Sequence, residues 1–412
     1  MKISDVNLND LDCFEKATPH EWFTLLRKEE PLYLHKGPDG EQDYYCVTKY
    51  EDLKHVSKTP EIFSSEKNGA LLRDPDENSL AGMQQIMINM DPPRHRQYRA
   101  TVNKAFTPRM MADLQPAVKK IVDGIIDNVI EKGECDFVEE IAAILPMEVI
   151  CEMVGVPQED RRAIYEIGNR MVGFDDPELQ DETVKQEPAD YEAASAEMFM
   201  YASKLKQKAI DRPGDDLATR LLNAEVDGHR LDDIEFNSFF LLLVIAGNET
   251  TRTVTTNGML DLLRHPDQYR MLREDPSLIP GAVEEMLRFN PAVTSFRRQV
   301  MQDTELRGVQ LKEGDKLALW YPSVNRDEEV FDDPHTFNIE RDPNPHLSFG
   351  VGEHFCLGAN LARMELQKIF EGIITRLPEL ELAAEPRRLR SNFINGVKEM
   401  RVRFTPGSKK AA

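Results

Sequence analysis

Residues 346–363 read HLSFGVGEHFCLGANLAR, a single cysteine set among three glycines just ahead of a helix-forming run. After Cys356 come Ala359, Leu361, Ala362, Met364 and Leu366, residues that favour a helix. Cys356 therefore falls at or beside a helix N-terminus. Unsatisfied backbone N–H groups and the positive end of the macrodipole favour thiolate there. Gly350, Gly352 and Gly358 permit tight turns and let a flat group approach the main chain closely.

Upstream, the pattern from Asp232 to Leu263 predicts one very long helix. Its apolar run breaks at LLLVIAGNETTRTV into Gly247, Asn248, Glu249, Thr250 and Thr251. Glycine costs ~1 kcal/mol in a helix interior relative to alanine, and a buried carboxylate costs more unless paired or hydrated. The Thr250 hydroxyl can bond the Ala246 carbonyl four residues back, loosening the ladder and leaving room for a small ligand or water. Glu249 beside it can relay protons from solvent. The structural alternative is that Gly247 permits close helix packing while Glu249 and the threonines face water.

Composition bounds the rest. The 412 residues are 41% hydrophobic with a formal charge of −22, which argues for a soluble globular protein. It argues against nucleic acid or an anionic membrane as principal partner. The first residues lack the apolar core of a signal peptide, and the run Phe239 to Ala246 is far short of the ~20 residues of a membrane span. Five cysteines, at 13, 46, 135, 151 and 356, form no C-x-x-C pair, which fits a reducing cytoplasm; the first four read as inert thiols.

No repeat or Gly/Ser linker divides the chain, so a single integrated domain over 1–412 is expected, with a β-containing part at about 1–90. PLYLHK (31–36) and DYYCVTK (43–49) read as a hairpin; Thr107 to Arg288 is overwhelmingly helical after a Thr cap; strands return at DKLALWY (315–321) and near the C-terminus. The fold class is mainly α with a small β portion. The acidic stretch 174–192 reads as a solvated loop or a mobile lid.

These motifs together resemble a known family. Phe349-x-x-Gly352-x-x-x-Cys356-x-Gly358 looks like the haem-binding signature of the cytochrome P-450 haem-thiolate monooxygenases. AGNETT (246–251) resembles the family's oxygen-activating central helix, and Glu285 with Arg288 resembles its E-x-x-R motif, completed by Arg341. MDPPRHRQYR supplies His95 and Arg99 of its H-x-x-x-R segment. The motifs follow the family's order from residue 91 to 366, so the likeness spans essentially the whole chain.

The resemblance implies a single-domain cytochrome P-450 fold with a long central helix over haem b, whose iron Cys356 binds axially. Thiolate ligands of this kind push electron density onto iron, favouring cleavage of the O–O bond. His95, Arg99, Arg298 and His354 would meet the propionates, and Ala246, Phe349, Gly350, Gly358 and Ala362 would lie along the cofactor. Arg298 is preferred to Arg297 because RQVMQDTEL fits the family's R-x-A-x-x-D pattern, with Val300 where alanine is common. His354 stands where the family often has arginine. Glu249, Thr250 and Cys356 would be catalytic, the first two in proton delivery. Glu285, Arg288 and Arg341 would form a buried structural triad.

The resemblance further implies O2 as co-substrate and NAD(P)H electrons arriving through a ferredoxin reductase and a ferredoxin, since no nucleotide-binding fingerprint or fused flavin domain is visible. Residues Arg94 to Arg109 hold five Lys/Arg and no acid, a strip suited to an acidic ferredoxin. A monomer with a bulky hydrophobic substrate is expected. RSNFINGVKEMRV (390–402), FSSEKNGALLR (63–73) and SFRRQV (295–300) look most like the sterol side-chain and terpenoid-oxidising branches. The competing readings are peroxide-driven oxidation, a haem-thiolate sensor or carrier without turnover, and a hydrolase in which Cys356 is the nucleophile with His354 or His95 as base.

Overall fold

The hairpin expected at 31–49 forms as strands Leu32–His35 and Tyr44–Val47, antiparallel with Leu32 opposite Val47. They do not stand alone. Tyr44–Val47 pairs in parallel with Lys316–Trp320, which pairs antiparallel with Ser295–Val300, and Phe63–Ser64 closes the edge of this five-stranded sheet. Lys316–Trp320 is buried along its whole length, as suits a central strand of an otherwise half-covered sheet. In this computed structural model the described residues are 1–38, 40–172 and 189–410. Most of the acidic stretch at 174–192 lies outside them.

The remainder is helical. Asp232 caps the long helix Asp233–Arg264 through a capping box: its carboxylate accepts the Glu235 N–H at 2.8 Å while Glu235 accepts the Asp232 N–H at 3.1 Å. Thr107 caps the helix Pro108–Val129 in the same manner, accepting the Met110 N–H at 3.1 Å. The long helix packs against Ile144–Val154, Ala189–Asp211 and the helix Ala359–Arg376 that follows Cys356. One large apolar core joins these helices, and a second lies between the sheet and the segment around Tyr50 to Val56. Among the described residues, no helix is long and apolar enough to cross a membrane.

Gly247 lets the long helix pack closely on the helix Ile144–Val154, because a Cβ there would sit 2.8 Å from Ile150 Cδ1. Three threonines back-bond the carbonyl four residues earlier: Thr250 to Ala246 at 2.6 Å, Thr255 to Thr251 at 2.8 Å and Thr256 to Arg252 at 2.9 Å. That satisfies their hydroxyls inside the protein, where an unpaired one is costly.

Candidate active site

The cysteine loop is shaped by glycine where the backbone turns left-handed. Gly350 has φ +69° and Gly352 φ +81°, and a Cβ on Gly352 would come 2.5 Å from the Ser57 carbonyl oxygen. Gly358, at φ −86°, caps the helix Ala359–Arg376. A Cβ there would meet no atom within 4 Å, so its absence leaves open space over the turn. The Cys356 N–H donates to the Phe349 carbonyl at 2.8 Å, and the Ala362 N–H to Gly358 at 2.8 Å.

Cys356 is half-buried, just ahead of the helix. Burial pushes its thiol up; a hydrogen bond from the Gly358 backbone and the guanidinium groups of Arg99 and Arg363 pull it down. Desolvation is the largest of these influences, and the pull from the Gly358 backbone is the one expected at a helix start. Of the other four cysteines three lie in the core as read, while Cys13 is half-buried. Cys46, Cys135 and Cys151 are buried, and burial raises the thiols of Cys135 and Cys151 to about 12.

Four bases gather beside this loop. His95 is 1% exposed and neither ring nitrogen has a hydrogen-bond partner. Its ring lies 4.2 Å from that of His354, whose Nε2 is likewise buried and unpartnered. Burial, reinforced by Arg99, pushes His95 down to about 4; burial, reinforced by Arg298, His95 and Arg99, pushes His354 down to about 2. Arg298 is buried and donates to the Arg297 carbonyl at 2.6 Å, while strand alternation sends Arg297 elsewhere, to Asp74 at 2.5 Å and Gln299 at 2.7 Å. Among the described residues, no carboxylate pairs with Arg99 or Arg298. A depression of about 580 Å³, lined by Lys58, His95, Arg96, Arg99, Gly352 and Glu353, opens beside this group.

In the long helix, Ala246 is exposed and Leu242, Leu243, Gly247 and Thr250 are half-buried, whereas Asn248, Glu249 and Thr251 are buried. The side of this central helix that carries Ala246 and Thr250 is thus its less covered face. Glu249 turns to Arg252, at 3.4 Å, and Arg252 lies 3.8 Å from Glu139. Glu249 and the Thr250 hydroxyl accordingly make separate bonds.

The structural triad forms as read. Glu285 and Arg288, both fully buried, pair at 2.7 and 2.8 Å. Arg341 joins at 3.2 Å, and Arg288 also donates to the carbonyls of Asn325, Pro334 and Thr336. Sequence reasoning missed the adjacent Glu284. Arg363 donates to it through two nitrogens at 2.7 and 2.8 Å, and His346 does so at 3.1 Å. The basic strip is also less free than its composition suggests: Arg96 pairs with Glu353 at 2.5 Å, and Arg94 lies 3.9 Å from Glu66.

The site thus joins a cluster of partly and fully buried bases to the cysteine loop. The cytochrome P-450 family profile matches residues 189–382. The steroid C26-monooxygenase of Rhodococcus jostii (strain RHA1) is 38% identical over 411 residues, covering 98% of this chain and 85% of that protein. The methyl-branched lipid omega-hydroxylase of Mycobacterium bovis is 39% identical over 415 residues, covering 98% and 95%. Among solved structures, CYP109E1 of Bacillus megaterium in complex with corticosterone has TM-score 0.84 at 33% identity, covering 94% of this chain and 98% of that one. CYP268A2 of Mycobacterium marinum in complex with pseudoionone has TM-score 0.87 at 34%, covering 95% and 97%.

The chain belongs to the cytochrome P-450 family and is a monooxygenase. A cysteine-ligated haem and O2 come with that family. The residues present fit the cofactor: the unpartnered nitrogens of His95 and His354 and the unpaired Arg99 and Arg298 are what two carboxylates would satisfy.

Proposed function

We propose that the chain hydroxylates the side chain of a steroid or a comparably bulky branched lipid, holding haem b through Cys356. The observation that supports the cofactor assignment is the cluster of buried His95 and Arg298 with half-buried His354 and Arg99, in which three imidazole nitrogens are buried without a partner. Those four would bind the propionates, and Cys356 would ligate the iron. Phe349, Gly350, Gly358 and Ala362 would lie along the sulfur side, with Ala246 opposite. When bound, the haem supplies the redox chemistry that activates dioxygen. The substrate class follows the names of the relatives, steroid C26-monooxygenase and methyl-branched lipid omega-hydroxylase.

The less covered face of the long helix gives a lipid room beside Ala246 and Thr250. The Thr250 hydroxyl, donating to Ala246, would hold a solvent proton donor at that face, with Glu249, paired to Arg252, as the proposed relay to solvent. Electrons come from NAD(P)H through a reductase and an acidic ferredoxin docking near the basic strip. The whole chain acts as one domain and as a cytoplasmic monomer.

The test is spectroscopic. Reduced protein under carbon monoxide should show the strongly red-shifted Soret band of thiolate-ligated haem, and Cys356→Ser should lose it. Steroids with an intact side chain and methyl-branched lipids should convert the low-spin resting spectrum to high-spin and yield hydroxylated product with reductant. A spin shift without product would overturn the turnover; no shift with either class would overturn the substrate assignment.

A further inference from the structure

Two successive acids on the helix Ile279–Phe289 grip different parts of the molecule. Glu285 holds the segment running to Arg341, while Glu284 reaches the cysteine loop from both ends. His346 precedes the cysteine and Arg363 follows it on its helix. His346 Nδ1 accepts the Ser348 N–H at 3.2 Å, which leaves Nε2 to donate to Glu284 at 3.1 Å. Arg363 binds both Glu284 oxygens and lays its guanidinium 4.6 Å over the Phe349 ring, with the His346 ring 6.0 Å from the same phenyl. Phe349 in turn accepts the Cys356 N–H.

We propose that Glu284, His346 and Arg363 are positioning residues that set the electron-donor strength of Cys356, by locking the Phe349 ring and one guanidinium charge against the cysteine loop. The proposal rests on the haem-thiolate reading above. The geometry is that of an outer coordination layer: a planar, bidentate ion pair fixes the ring whose backbone carbonyl anchors the ligand's own N–H. Burial raises the Glu284 carboxyl, but its bonds to Arg363 and His346 bring it down to about 2, so the bracket stays charged throughout the neutral range. Arg363 is close enough to Cys356 to pull its thiol down, while Glu284 is bonded to Arg363 as its counter-charge. Removing one or the other must therefore move the iron's reduction potential in opposite directions.

The experiment measures haem midpoint potential and the rate of haem transfer to an acceptor apoprotein in the intact holoenzyme. Arg363→Gln removes a positive charge and should lower the potential; Glu284→Gln leaves the guanidinium uncompensated and should raise it. The double variant should return towards the parent. Arg363→Lys keeps the charge without the planar stack, so its potential should stay near the parent's while haem loss accelerates about 10-fold or more. Shifts of the same sign in the two Gln variants, or none, would overturn the proposal, since mere loosening of the loop acts alike in both. If Glu284→Gln does not fold, Glu284→Asp decides: it keeps the charge and should hold the parent's potential, and a shift as large as that of Arg363→Gln overturns the idea. A parent lacking the thiolate carbon monoxide band would instead overturn the haem-thiolate reading before any variant is compared.

Discussion

Thr250 and Thr251 differ by about 100° around one helix, and the structure gives them different surroundings. Thr250 is half-buried on the less covered face, its hydroxyl tied to Ala246, while Thr251 is buried behind it. Thr250→Ala should leave haem loading and the substrate spin shift intact, yet lower product per NAD(P)H and release hydrogen peroxide instead. Thr251→Ala should uncouple less. Unchanged coupling in Thr250→Ala, measured as product against reductant consumed, would remove the hydroxyl from proton delivery. The Thr250–Ala246 bond was legible in the sequence because threonine can reach only its own helix's preceding turn. The Glu249–Arg252 pair stands at i and i+3, a spacing that permits an ion pair without requiring one, so the sequence leaves it open against a solvent-facing acid. The Glu284 bracket carried no such signal: Arg363 lies 79 residues from Glu284, and no local periodicity links them.

At the scale of elements, the helix Ile279–Phe289 and the long helix each bury charge for opposite reasons. In the former, Glu285 answers Arg288 and Arg341 with near-ideal geometry. Glu285→Ala would leave Arg288 buried without its carboxylate, a loss of ~3–5 kcal/mol, and should give poorly loaded or aggregated protein. A stable, fully loaded variant in thermal melts would contradict the triad. In the long helix, Asp261 is buried against Asn290, and burial pushes its carboxyl from 3.8 up to about 6 despite Arg326 and His265 nearby. Its protonated form is the one the fold favours. The stability it contributes is therefore complete below about pH 4 and lost as pH rises through 6. Asp261→Asn should flatten that decline, gaining on the order of 3 kcal/mol on the parent between pH 4 and pH 7. Melting curves at the two pH values check it. The helix limits came from the sequence almost to the residue, since Asp232 is a side chain that both caps and ends a pattern. The sheet did not, because strand order depends on partners far along the chain.

For the whole molecule, the contrast is between a charge of −22 and a basic depression beside the cysteine loop. An acidic ferredoxin, the proposed electron donor, would be repelled by most of this surface and attracted at one place. Its rate of electron delivery should fall by about ten-fold or more between low and physiological salt, as steered encounters do. A flat salt profile in stopped-flow reduction would argue for contact elsewhere. Glu353 and Glu66, which partly answer Arg96 and Arg94, limit how much of the strip contributes.

The five-stranded sheet also fixes a timetable. Its early strands, Leu32–His35 and Tyr44–Val47, take their third partner only from Lys316–Trp320, and the Gln42 side chain meets its Gly314 acceptor 272 residues away. At a synthesis rate of about 5–20 residues per second, the N-terminal hairpin leaves the ribosome tens of seconds before that partner exists. Its free edge is an invitation to wrong pairing throughout that interval. His95 and Arg99 are made early in the same interval and Cys356 after it closes, so the proposed propionate contacts and the proposed iron ligand emerge on opposite sides of it. For a cell expressing this enzyme, slowing the ribosome before residue 316 should therefore cost more functional protein than slowing it after 356.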